Sequence, residues 1–481
     1  MRTVRQDHSA ADEPDQGGRA IELLVTLDRS GGTVEPLHAQ IERQLREGVR
    51  GGRLAPGTRL PATRELAQQL RVSRGVVVEA YAQLTAEGYL ATRRGAGTVV
   101  AEALRRVAPP RPAPLPRTVP EDFHPGMPDL AGFPRAAWMR SLRAGARDAP
   151  DAALGYVDPA GATVLRAALA RYLGRARGVA ADPEQLLVTS GLQQGVALLG
   201  RVLRRRGVRR VAVEDPGFLV HRAVLSNCGL EPVPVPVDEH GLRTDALAGV
   251  AAGAVLVTPA HQAPLGSVLA PSRRAALLAW AERNDAFVIE DDYDAEYRYD
   301  REPVGALQGL APERVAYAGC ASKVLVPGLR LGWLALPRTL YDAVRTEKTL
   351  DDLGTPVLDQ LALADFVERG ELDRHLRRMR PRYRARRDAL VAALAEHLPE
   401  WRVDGVAAGL HTVALLPEDA DEAALLAHAK RHDMILHGLS WYRVTPGPPG
   451  LVLGYGALAE PALTHAVHRL AAVYDSLPAA R

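Results

Sequence analysis

Lys323 is one of only three lysines in a chain of 481 residues that carries 60 Lys and Arg. It follows Ser322 and stands seven positions before Arg330. A lysine amine can condense with an aldehyde to form a Schiff base, and a nearby arginine can clamp a phosphate with its planar fork. Glu290-Asp291-Asp292-Tyr293-Asp294 closes an apolar run, which puts carboxylates and a phenol at the carboxyl end of a strand. A pyridinium nitrogen needs a carboxylate partner, and a ring phenolic oxygen needs a hydrogen-bond donor. Asp291 and Tyr293 are two apart and share a strand face, while Asp292 points the other way, so Asp291 is favoured over Asp292 for the ring nitrogen. Thr189-Ser190-Gly191-Leu192-Gln193 reads as a strand turning into a helix, whose free N–H groups at Gly191, Leu192 and Gln193 offer a phosphate cup shared with Arg330, while Ser322, beside the lysine, is a further cofactor-binding candidate. Phe218 supplies an aromatic face for stacking on a planar ring, and His261 or Gln262 is placed on a strand-end loop to reach the phenolic oxygen. An aldehyde, a phosphate, a pyridinium and a phenol in one ligand describe pyridoxal 5'-phosphate (PLP). Each piece alone is weak; their order on successive strand ends carries the assignment.

Positioning such groups takes an α/β scaffold. From Glu121 onward, short apolar runs such as Leu186–Thr189, Ala254–Val257, Ala286–Ile289 and Val315–Ala318 alternate with helical patterns. Nearly unbroken apolar runs are the mark of parallel strands buried on both faces. A last segment, from about Pro381 to Arg481, reads as a small C-terminal α+β subdomain. Residues 102–120 hold prolines at 109, 110, 112, 114, 116 and 120 and read as a semi-rigid linker. Residues 1–33 read as a disordered extension. Between them, residues 34–101 change character. Leu37, Ile41, Leu45 and Val49 recur every four positions, a second short helix follows Pro61, and a third follows Ser73. A hairpin then brackets Arg93-Arg94-Gly95-Ala96-Gly97. Three helices and a hairpin make a winged helix-turn-helix.

Charge follows the same division. Residues 34–117 hold 14 arginines against 7 glutamates, which leaves −4 for the rest of a chain whose net charge is +3. A basic head on a slightly acidic body suits a DNA-binding module joined to a second function. Two cysteines, Cys228 and Cys320, make no disulfide framework, and no apolar run reaches the length of a bilayer span. With no apolar leader in residues 1–18, the expected compartment is the cytoplasm.

The head resembles the GntR family on Pro36-Leu37-His38-Ala39-Gln40-Ile41, Gly52 to Ala67, Val72-Ser73-Arg74-Gly75-Val76-Val77 and Gly95-Ala96-Gly97-Thr98. The resemblance implies that Arg64, Ser73, Arg74 and Gly75 face double-stranded DNA and that Arg94 and Gly95 bring the wing to the minor groove. Gly75-Val76 departs from the family pattern, which usually offers hydroxyl side chains there. The body resembles fold-type I aminotransferases, through Gly155–Gly161, Arg177-Gly178-Val179, Glu290–Tyr299 and Ser322–Gly332; the whole chain resembles MocR/GabR-type regulators. This implies Lys323 as the Schiff-base lysine, Asp291 at the pyridine nitrogen, Tyr293 at the phenolic oxygen, Arg330 at the phosphate and Phe218 as the stacking ring. It also implies a domain-swapped homodimer, one subunit's head lying against the other's body. Aminotransferases usually carry a substrate-carboxylate arginine on a late strand, and Leu451–Tyr455 has none; Arg222 and Arg443 are the nearest candidates for an effector. The expected function is a transcription regulator whose DNA binding responds to PLP or an amino compound, in vitamin B6 synthesis or amine metabolism. The alternative is a working aminotransferase that carries a DNA-binding head.

Overall fold

The computed structural model describes residues 25–29, 35–93, 97–101, 123–156, 158–299 and 304–477. The chain forms two compact units, Met1–Pro116 and Arg117–Arg481. The expected proline linker, 102–120, lies outside the described residues.

In the first unit the four-residue periodicity becomes α1 (Leu37–Arg50), followed by α2 (Thr63–Leu70) and α3 (Arg74–Ala86). Ile41 and Leu45 of α1 meet Leu66 of α2 and Val77, Ala80 and Leu84 of α3 in one apolar core. Each of the Ile, Leu and Val side chains contributes about 1.5–3 kcal/mol on burial. Strands β1 (Leu90–Arg93) and β2 (Gly97–Val100) pair antiparallel beside them. The packed chain starts earlier than the expected residue 34. Val25 is buried in this core, Thr26 N–H donates to Gln44 Oε1 at 2.8 Å, and Asp28 N–H donates to Gln40 Oε1 at 2.9 Å. Polar side chains of α1, which sequence periodicity assigns to solvent, hold this segment.

The second unit is built on an eight-stranded sheet. Its strands are β3 (Leu186–Thr189), β4 (Arg210–Asp215), β5 (Glu231–Asp238), β6 (Gly241–Leu242), β7 (Ala254–Val257), β8 (Phe287–Asp292), β9 (Val315–Cys320) and β10 (Gly332–Ala335). The spatial order is β3-β10-β9-β8-β7-β4-β5-β6. Burial alternates across it: Val211, Val213, Leu256 and Ile289 face one apolar layer, and Ala212, Val255, Val257 and Val288 the other. This is why these strands show no polar alternation. The sheet is not wholly parallel. β10 runs antiparallel to both β3 and β9, and β6 is antiparallel to β5. A strand buried on both faces looks the same in either direction, so the apolar run could not reveal it.

The helix Glu371–His397 contains Pro381 and leads to a small antiparallel sheet of β11 (Arg402–Asp404), β12 (His411–Leu415) and β13 (Gly450–Gly454). The carboxyl ends of β4, β7, β8 and β9, together with β12 and β13, enclose the site.

Candidate cofactor site and nucleic-acid interface

β9 runs straight into a short helix, Ala321–Val324, which delivers half-buried Lys323 to the strand's carboxyl edge. Opposite it is Gly126, at φ +70°, where an added Cβ would lie 3.0 Å from the Lys323 Nζ. The left-handed backbone and this close approach both favour glycine here. The amine projects into a cavity of about 220 Å³ lined by Gly126, Gln193, Phe218, Asp291, Tyr293 and Arg330, among others.

One end of the cavity is built for an anion. β3 ends at Thr189, and Gly191, at φ +94°, caps the helix Leu192–Arg205. The N–H groups of that first turn have no helical acceptor. Arg330 takes a left-handed backbone (φ +50°) and donates from Nη2 to Ser190 O at 2.7 Å, so its guanidinium lies over the same turn. A Cβ at Gly191 would sit 2.7 Å from Arg330 Nη2. Ser322, Leu192 and Gln193 also border the cavity, and the buried Gln193 Oε1 has no hydrogen-bond partner.

The acidic run at the end of β8 divides its work by strand alternation. Glu290 turns inward and accepts from the N–H groups of Leu307 (2.8 Å) and Gln308 (2.9 Å). Asp292 is fully engaged: Arg177 donates Nε and Nη2 to it at 2.7 and 3.1 Å, and the Tyr317 hydroxyl donates at 2.8 Å. Asp291, between them, faces the cavity. Its Oδ2 lies 3.3 Å from His221 Nε2, and its buried Oδ1 has no hydrogen-bond partner. Burial pushes the Asp291 carboxyl well above the ordinary carboxylate range; Asp292, Asp294 and Glu214 add to this and Lys323 opposes it. Burial and Arg222 hold His221 down at about 4, so a neutral imidazole backs this carboxyl at neutral pH. A cationic ring N–H would satisfy the open oxygen. The alternative left by the sequence, Asp292, has no oxygen to spare.

Tyr293 lines the cavity although β8 ends one residue earlier. Its hydroxyl lies 2.9 Å from His261 Nδ1, which in turn lies 3.0 Å from Asp294 Oδ1. Burial and Asp294 raise the phenol well above its usual range, so Tyr293 stays a donor. The Phe218 ring borders the same space and meets His221 edge-on at 5.1 Å.

Four sequence expectations end elsewhere. His261 stands behind Tyr293, holding its hydroxyl, and does not line the cavity. Gln262 spends its amide on Glu214 Oε2, Pro216 O and Ala263 O. Arg222 donates to the carbonyls of Gly217 (3.2 Å), Tyr442 (2.9 Å) and Trp441 (3.5 Å), and Arg443 borders a different cleft. Neither arginine reaches the cavity. Conversely, Gly126, His411, Tyr442 and Val452 line it without having been anticipated. Burial, with His261 and Lys323, depresses His411 to about 3, so it presents a neutral ring there.

In the head, Arg64, Ser73, Arg74 and Gly75 are all exposed at the facing starts of α2 and α3. Arg74 Nε donates to Thr63 Oγ1 at 3.4 Å, which joins the two helix starts. Ser73 occupies the N-cap position of α3, but its side chain makes no capping bond. Arg94 and Gly95 lie outside the described residues.

Comparison with known proteins agrees with both halves. Residues 37–100 match the family described as bacterial regulatory proteins, gntR family, and residues 128–449 match aminotransferase class I and II. The chain is 34% identical to the probable rhizopine catabolism regulatory protein MocR of Rhizobium meliloti, over 94% of this chain and 96% of that one. The chain belongs to the MocR-type transcription regulators. Another relative, the HTH-type pyridoxine biosynthesis transcriptional regulator PdxR of Corynebacterium glutamicum, is 37% identical over 88% of this chain and 93% of its own. The body of this regulator has the fold-type I architecture. It is similar to the crystal structure of Pyrococcus horikoshii kynurenine aminotransferase in complex with PMP, with a TM-score of 0.69 and 27% identity over 76% of this chain and 93% of that chain. The body is a PLP-binding domain and the head a GntR-type DNA-binding domain. Among the described residues no helix is long and apolar enough to cross a membrane.

Proposed function

We propose that this MocR-type regulator is a cytoplasmic homodimer, each head lying against the partner's body, whose grip on operator DNA is set by PLP in the cavity around Lys323. The observation that carries this reading is the geometry of that cavity. It places an amine on one wall, a buried carboxyl with an open oxygen on another, and a guanidinium over a helix N-terminus at its end.

In this reading Lys323 holds PLP covalently and Asp291 receives the ring N–H. Tyr293, kept protonated by burial and oriented by His261 and Asp294, donates to the phenolic oxygen. Arg330, Ser322 and the Gly191–Gln193 turn hold the phosphate, and Phe218 stacks on the ring. When bound, PLP supplies an aldehyde that condenses with amines. The cavity's cationic groups among the described lining residues are Lys323 and Arg330, both committed to the cofactor. Among these described residues a substrate carboxylate finds no second guanidinium, which favours sensing over amino transfer and PLP itself as the signal. The pyridoxine-biosynthesis role named for the PdxR relative suits this, and points to control of vitamin B6 synthesis. In the head, Arg64, Ser73, Arg74 and Gly75 contact DNA, with α3 entering the major groove and Arg94 and Gly95 reaching the minor groove.

A ligand changes DNA affinity only if it binds one of two head–body arrangements better than the other. The test is the affinity of the full chain for its own upstream DNA with and without PLP. A change in affinity or footprint with PLP alone supports the reading. Identical binding in both states overturns PLP as the signal.

A further inference from the structure

We propose that the cleft between the end of the helix Thr163–Arg177 and the first half of the helix Glu371–His397 is a second anion site, separate from the PLP cavity, for a phosphate or carboxylate group. The cleft encloses about 330 Å³. Arg175 and Arg177 line it from one helix and Arg377 and Arg380 from the other, with Tyr172, Glu296 and Asp373 between them.

Arg177 is the deciding group. It is 1% exposed, and two of its nitrogens are taken by Asp292, while the buried Nη1 has no hydrogen-bond partner. A buried guanidinium N–H left unpaired is costly, and an oxyanion that reached Arg177 from the cleft would satisfy it. Arg380 uses Nε on Glu296 O at 2.7 Å, and Arg175 is paired with Asp373 at 2.8 Å. Arg377, exposed and one turn before Arg380, makes no ion pair among the described residues. Four guanidinium groups thus stand against three carboxyls, Glu296, Asp373 and, behind Arg177, Asp292. One of these, Glu296, accepts from the Tyr172 hydroxyl at 3.3 Å, and burial and Asp292 push its carboxyl above the ordinary carboxylate range. The partial negative charge at the end of the helix Thr163–Arg177 offsets only part of this positive surplus.

The site is joined to the cofactor cavity through the Arg177–Asp292 pair. Arg177 pins Asp292, and Asp292 is one of the neighbours that, with burial, raise the Asp291 carboxyl. An anion that shares Arg177 makes the potential at Asp291 more negative and ties the helix that leads into the small subdomain to the sheet domain. The cleft is therefore placed to let a small oxyanion tune the cofactor's ring nitrogen.

The test uses the full chain loaded with PLP, so that the phosphate cup at Arg330 is already filled. Should the chain take up no PLP, Arg330→Ala removes that cup instead. Inorganic phosphate and, separately, succinate are titrated against chloride at equal ionic strength, reading thermal midpoint and the visible absorbance of bound cofactor. The expected result is a saturable response to one of the two anions, and the tighter one names the ligand class. Arg377→Ala should weaken it about tenfold, the effect of losing one charge-assisted contact, with PLP uptake unchanged, and Arg377→Lys should recover most of it. A response that chloride matches, or that Arg377→Ala leaves intact, overturns the proposal.

Discussion

Replacing Asp291 by asparagine separates cofactor binding from folding, because the two effects have opposite signs. The carboxyl is 4% exposed, and its Oδ1 has no hydrogen-bond partner. A hydrogen bond to a charged group contributes about 1.5–3 kcal/mol. The amide keeps the shape but loses the charge opposite the ring nitrogen, so PLP affinity should fall roughly 10- to 100-fold at about 1.4 kcal/mol per decade. Without cofactor the sign reverses. The folded-state pKa of Asp291 is raised, chiefly by burial. A raised carboxyl favours folding at pH below its unfolded value of about 3.9 and loses that contribution as pH rises through the folded value. At neutral pH the cofactor-free chain therefore carries a penalty that Asp291→Asn removes. The assay is thermal unfolding of both chains across pH 5–8 (a range chosen on either side of neutrality), without PLP and at a series of PLP concentrations. The variant should match or exceed the parent without PLP and gain much less from PLP. A variant that is destabilised without PLP, or that binds PLP as tightly as the parent, refutes the role given to this carboxyl.

Lys323→Ala should leave a folded protein that retains no cofactor after borohydride reduction and denaturation; covalent attachment at the parental stoichiometry would remove Lys323 from its place. Gly191→Ala forces a side chain into a backbone at φ +94° and within 2.7 Å of Arg330 Nη2, so it should cost about 1–3 kcal/mol of stability and weaken PLP binding; calorimetry and PLP titration that match the parent would contradict the cup geometry. Arg74→Ala should weaken binding to upstream DNA and lower the salt slope by about one, with PLP uptake unaffected. An unchanged slope would take Arg74 off the DNA.

The parts of the site that the sequence displayed were those carried on single strand ends. Lys323 and Arg330 share one loop, and the cup at Gly191 follows β3 without a break. Strand alternation separated Asp291 from Asp292, and the three bonds from Arg177 and Tyr317 to Asp292 give that separation its physical reason. What remained hidden came from distant segments. Gly126 and Lys323 are neighbours only through the fold, and His411 sits in an apolar strand that reads as ordinary core. Arg222 looked available for an effector because its sequence does not show the carbonyls of Gly217, Trp441 and Tyr442 that consume its guanidinium. His261 lies beside the cavity but behind Tyr293, whose hydroxyl it orients, a depth that loop position in the sequence does not show. The direction of β10 was hidden for a different reason: full burial erases the polar alternation that would have shown an antiparallel strand.

The central claim is that the PLP site and the DNA-binding head are coupled, and coupling between two binding sites is reciprocal. The most direct measurement is the affinity of the full chain for PLP, titrated with and without saturating upstream DNA. Reciprocal coupling requires the two PLP affinities to differ, by the same factor by which PLP changes DNA affinity. Equal PLP affinities on and off DNA would contradict it.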